Sequence, residues 1–195
     1  MPNISVKAPS TVQKSSECHL RAENFKSQEK PNFTLAGVTY RDEAEALIQE
    51  GNRNGACKAY NNAAEMFESA AKEMEGTEPL KPGGKKHLLM SATHLRMMTI
   101  RMHKASADLS YDLGALENSH ASYNKGADVS IQVSNSLFEL NGHTPPDKYC
   151  NIAVDLRLKA KDVAARVVER KVGLGNAQIA WSGQGYDPYN DAPPV

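Results

Sequence analysis

The sequence predicts an all-α fold, an antiparallel helical bundle or short helical array of about five helices with flexible tails. Three observations predict it. Between residues 41 and 172, apolar residues recur at spacings of three, four and seven, the period of a helix with one buried side. Gly, Asn and Pro clusters interrupt that pattern at GNRNG, KPGG, Gly114 and NGHTPPD, where a helix has to stop. Five such helical segments follow one another, and no strand pattern competes with them. The chain therefore divides into a segment 1–37 expected to be disordered, a helical domain 38–172, and a flexible C-terminal tail 173–195.

Residues 1–37 are dominated by Ser, Lys, Asn, Gln and Pro, with too little apolar surface to offset chain entropy. The first helix is expected over 41–50, with Asp42, Glu43 and Glu45 near its positive end and Ala44, Leu47 and Ile48 on its apolar side. GNRNG ends it, because Gly and Asn tolerate left-handed backbone. The second helix runs to Glu75 and mixes Ala56, Ala59, Ala63, Ala64, Ala70 and Ala71 with Tyr60, Met66 and Phe67. Small residues let two helices approach, and the few large ones fill what remains. The third helix, 86–113, carries Leu88, Ala92, Leu95, Met102 and Leu109, with Met90, Met97 and Met98 widening the stripe. The fourth, 115–140, carries Leu116, Tyr123, Ala127, Ile131 and Leu137. The fifth, 146–172, is amphipathic through Tyr149, Ala153, Leu156, Ala160 and Val163. The last segment is rich in Gly and Pro yet holds Trp181, Tyr186 and Tyr189, aromatic groups suited to docking back on the domain or to a partner's grip.

Lys+Arg and Asp+Glu are both 23, so the net charge is zero and nothing in the electrostatics favours nucleic acid or an anionic membrane surface. No apolar run approaches the ~20 residues of a membrane span, and the first residues lack the apolar core of a secretory signal. Cys18, Cys57 and Cys150 are too few and too scattered for a disulfide framework or a metal knuckle, which points to a cytoplasmic setting. The N-terminal stretch has no acidic residue before Glu17 and is rich in hydroxyl and amide side chains. In this it resembles bacterial proteins exported by needle-type secretion systems, so an exported bacterial effector is the alternative localisation.

The chemistry-bearing residues do not assemble a motif. His87 and His94 can share a helix face, but neither has the i, i+4 partner or Glu-x-x-His context of a helical metal site. KPGGKK lacks the strand and spacing of a phosphate loop, and no G-x-S-x-G occurs. No catalytic residue, cofactor or metal is therefore assigned. The candidate partner-binding residues are Tyr60, Phe67, Tyr123, Met97, Met98 and Trp181, since aromatic and Met side chains line adaptable grooves.

AYNNAAEM at 59–66 aligns with SYNKGADV at 122–129, Tyr60 over Tyr123 and Ala64 over Ala127, an offset of 63 residues. This fits either two units of a 34-residue helical repeat or one long hairpin used twice. Leu47, Gly51, Tyr60, Ala63, Phe67 and Ala70 fall at the spacings of a tetratricopeptide repeat, which the first hairpin resembles; Asn54 and the late Pro79 depart from that pattern. A similar small-and-aromatic pattern occurs in microtubule-interacting-and-trafficking domains. Either resemblance implies a surface that grips a helix or extended peptide. The expected function is a non-enzymatic protein–protein interaction module, an adaptor or chaperone-like protein. An enzyme or small-ligand carrier with a site inside the bundle is the alternative, and homo-oligomerisation through the last helix is a third reading.

Overall fold

The computed structural model describes residues 11–141 and 147–181, with side chains described for 14–140 and 148–173. Among them are six helices and no strand: α1 Thr11–Lys26, α2 Phe33–Gln49, α3 Arg53–Gly76, α4 Gly84–Asp112, α5 Leu116–Asn141 and α6 Asp147–Trp181. Each helix packs chiefly on its neighbours in the sequence, α1 on α2 through to α5 on α6, so the molecule is an array of antiparallel helices rather than a closed bundle.

Local chemistry sets the helix ends. Asn32 caps α2 by accepting the Leu35 N–H at 3.0 Å, and Asn52 caps α3 through the Gly55 N–H at 2.9 Å. GNRNG therefore does two jobs: Gly51 stops α2, and Asn52 starts α3 immediately afterwards. Gly51, Gly83 and Gly114 have φ of 78°, 83° and 71°, the left-handed backbone that glycine alone adopts at little cost.

The 63-residue offset is a structural repeat of one long hairpin. After α2, Gly51 N–H donates to Ile48 O and Asn52 N–H to Leu47 O; after α4, Gly114 N–H donates to Tyr111 O and Ala115 N–H to Ser110 O. All four pairs of positions are related by that offset. Burial follows it too: Ala44 and Ala107, Ala56 and Ser119, Ala59 and Ser122, Ala64 and Ala127, and Ala71 and Ser134 are buried at corresponding places. The period is thus a hairpin of two long helices, not two 34-residue units.

Three clusters make the core. Tyr40, Phe67, Ala63, Ala70, Ala92, Leu95 and Met102 join α2, α3 and α4. Ile100, Tyr123, Ala127, Val133, Leu156 and Val163 join α4, α5 and α6. A small cluster of Ala44, Leu47, Ala56 and Ala59 closes the α2–α3 turn. Buried Arg96 of α4 forks onto Glu75 of α3, with Nη2–Oε2 at 2.8 Å, and its Nε lies 3.6 Å from Glu68.

Two expectations are corrected. The segment 1–37 was expected to be disordered, but α1 occupies Thr11–Lys26 and α2 begins at Phe33. α1 is held by fully buried Ala22 and by polar ties: Ser15 donates to Glu50 at 2.9 Å, His19 Nδ1 lies 3.2 Å from Glu43, and Tyr40 donates to Glu23. Few large apolar residues are involved, which is why composition suggested disorder. The last helix, expected to end near 172, continues through Gly173 and Gly175 to Trp181. A helical glycine costs only about 1 kcal/mol, too little to stop a helix without a proline. Residues 1–10 and 182–195, with Tyr186 and Tyr189, and the cap and Pro pair expected at 142–146, lie outside the described residues.

Candidate functional site

α3 and α5 both lie on α4 and run parallel to each other. Between them, over the floor that α4 provides, three cavities follow one another along α3. The first, of about 400 Å³, is lined by Asn54, Cys57, Lys58 and Asn61 of α3, Asn118 of α5, and Ser110 and Leu113 below. The second, about 340 Å³, lies between Glu65, Glu68, Ser69 and Lys72 of α3 and Lys125 and Val129 of α5, over Thr99 and His103. The third, about 230 Å³, is bounded by Met74, Glu75 and Glu139 over Leu88 and Leu89.

His103 is the distinctive group on this floor. It is 6% exposed, and its Nδ1 makes no hydrogen bond with any described residue. Burial first, and then the Lys125 ammonium, lower its pKa from 6.5 to about 4. The imidazole is therefore neutral at pH 7 and presents one donor and one acceptor. Neutral Ser and Thr hydroxyls surround it along α4, but those of Thr99 and Ser106 are turned to backbone carbonyls, Leu95 O and Cys57 O. No carboxylate orients His103, and no nucleophile lies within hydrogen-bond reach of it among the described residues. The arrangement can recognise a hydrogen-bonding group; it is not the pairing that general-base activation requires.

The six predicted partner-binding residues are not brought together. Phe67 is 1% exposed and Tyr123 6%, so neither ring lines an open groove: both are interior packing. Phe67, with half-buried Tyr60 and Met98, belongs to the α2–α4 core, whereas Tyr123 and Met97 belong to the α4–α6 core. The Tyr123 hydroxyl donates to Asp108 at 2.5 Å, and burial together with that carboxylate pushes its pKa up. Met97 accepts from Tyr149 at 2.9 Å. Trp181 ends α6, and its side chain lies outside the described residues. A different set lines the seam, chiefly Lys72, His103 and Lys125. Sequence reasoning does not single out His103. The signal that could have found it is its position, 63 residues after Tyr40 on the buried side of the repeated hairpin.

His87 and His94 do share a face, lining a shallow cleft of about 440 Å³ with Thr34, Met74 and Met90. Among the described residues no three His, Cys, Asp or Glu side chains converge as metal ligands, and no helix is long and apolar enough to cross a membrane. Cys18, Cys57 and Cys150 are free thiols. No protein-family model, curated protein or solved structure matches this chain.

Proposed function

We propose that this protein is a non-enzymatic interaction module that takes a helix or extended peptide of a partner protein along the seam between α3 and α5. One observation carries the reading. Three cavities succeed one another over Asn54–Thr77, with an uncommitted neutral imidazole at the centre of their floor. A peptide is the ligand whose length and repeating amides match an elongated, polar-walled seam, whereas a small molecule favours one enclosed pocket. The mixed rim of Lys58, Lys72 and Lys125 with Glu65, Glu75 and Glu139 suits a peptide carrying both signs of charge.

The test is capture from lysate by full-length protein, compared with Lys72→Glu/Lys125→Glu and with a control reversal on α6, outside the three cavities, Lys159→Glu. A partner held by wild type and the control but lost by the seam variant supports the reading. Equal capture by all three removes recognition from the seam. A small molecule found bound by native mass spectrometry, with no protein captured, points instead to a carrier.

A further inference from the structure

α6 has two apolar sides, and α5 covers only one. Ala153, Leu156, Ala160 and Val163 are buried against α5 and α4. On the opposite side Val154, Leu158, Val168 and Val172 are 58%, 61%, 60% and 58% exposed, although a terminal helix of an array could carry polar groups there. With exposed Lys161 and Ala165, these residues are spaced 4, 3, 4, 3, 4, which is the a/d spacing of a coiled coil, with Val154, Lys161 and Val168 at d and Leu158, Ala165 and Val172 at a. The stripe extends about 27 Å at 1.5 Å per residue.

The flanks select the partner. In this register the e positions are Asp155, Asp162 and Glu169, all acidic, and the g positions after Val154 are Arg157, Ala164 and Lys171, two of them basic. A parallel second helix places g of one chain beside the following e of the other, so Arg157 meets the partner's Asp162. An antiparallel copy would set acidic flank against acidic flank. We infer that α6 pairs in parallel with α6 of a second copy of this chain, forming a short two-stranded coiled coil on the side facing away from α5. The present ion pairs on these flanks, Arg157–Asp128 at 2.6 Å, Arg166–Asp162 at 3.4 Å, Lys159–Asp155 at 3.3 Å and Lys171–Glu117 at 3.8 Å, are exposed, so sharing or exchanging them costs little. Lys161 is the one charged residue in the seam. A single polar residue in such a position trades affinity for a fixed register.

Sedimentation equilibrium of the full chain from 1 to 200 µM tests this, with thermal melting to show that each exposed substitution leaves the fold intact. Wild type is expected to dimerise, Leu158→Glu/Val168→Glu to be monomeric throughout, and Lys161→Leu to dimerise at least tenfold more tightly. Arg157→Asp and Asp162→Arg should each weaken the dimer at least threefold, and the double variant should recover most of that loss. A wild-type monomer at all concentrations overturns the inference, as does a dimer indifferent to Leu158→Glu/Val168→Glu. Tighter association of Asp162→Arg alone would overturn the parallel arrangement. Binding of the monomer to phosphatidylcholine vesicles through the same stripe would replace the second copy by a membrane surface.

Discussion

Where α2 carries Tyr40, α4 carries His103; where α3 carries Phe67, α5 carries Ser130. Leu47 and Glu43 likewise correspond to Ser110 and Ser106, all within one repeated backbone plan. Large residues also trade sides. Gly37 lies under the Phe67 ring, where an added Cβ would meet ring carbons at 2.9 Å; its counterpart on α4 is buried Ile100, and the counterpart of Phe67 is small Ser130. The first hairpin is thus closed by aromatic rings, and Tyr40 finds a partner in Glu23 of α1. The second is lined by hydroxyls, and His103 stands beside a cavity without such a partner. The two hairpins share their turns and small-residue contacts but differ in bulk, and His103, which stands where the first hairpin has Tyr40, lines the middle cavity of the seam.

The comparison is broken most sharply at its aromatic position. Phe67→Ala should cost about 3–5 kcal/mol, read by denaturant unfolding, whereas Ser130→Ala should stay within about 1 kcal/mol because it removes only a hydroxyl bonded to Gly126 O. Similar losses at both positions would mean that the two hairpins are filled alike.

His103 supplies a second test. Its folded pKa of about 4 lies below the unfolded value near 6.5, so the unfolded chain binds more protons between those limits. Its contribution is complete above about pH 6.5 and is lost as pH falls towards 4, a difference of roughly 3 kcal/mol. Unfolding of wild type and His103→Gln across pH 4–7 should show that slope only in wild type. The variant comparison removes background from carboxylates such as Glu43, which burial shifts upward and which acts in the opposite sense. Gly37→Ala should cost about 1–3 kcal/mol by forcing the Phe67 ring aside. Gly51→Ala and Gly114→Ala come last, each costing about 1 kcal/mol for a left-handed non-glycine residue. Their near-equality and additivity in thermal melts would sharpen the equivalence of the two turns.

Much of the scaffold was legible because its signals are local. Gly51 and Gly114 punctuate the chain within a few residues, and the similarity of 59–66 to 122–129 marks the 63-residue offset. The candidate site was not legible in the same way. Tyr60, Phe67 and Tyr123 looked like groove linings because aromatic side chains suit both cores and interfaces; only the positions of neighbouring helices show that Phe67 and Tyr123 are interior. α1 was hidden for a related reason. Its ties are Ala22 and hydrogen bonds to α2, and these stabilise a polar helix only once α2 is in place.

By itself the sequence determined the all-helical class, most helix boundaries, the 63-residue offset and the amphipathic last helix, since periodicity and backbone permissiveness act over a few residues. Only the tertiary structure decided which rings are enclosed, that residues 11–26 join the array, and that α3 and α5 frame a seam over His103. It also showed that α6 keeps a second apolar side uncovered. These depend on which distant surfaces meet, and burial, unlike helix propensity, belongs to both surfaces at once.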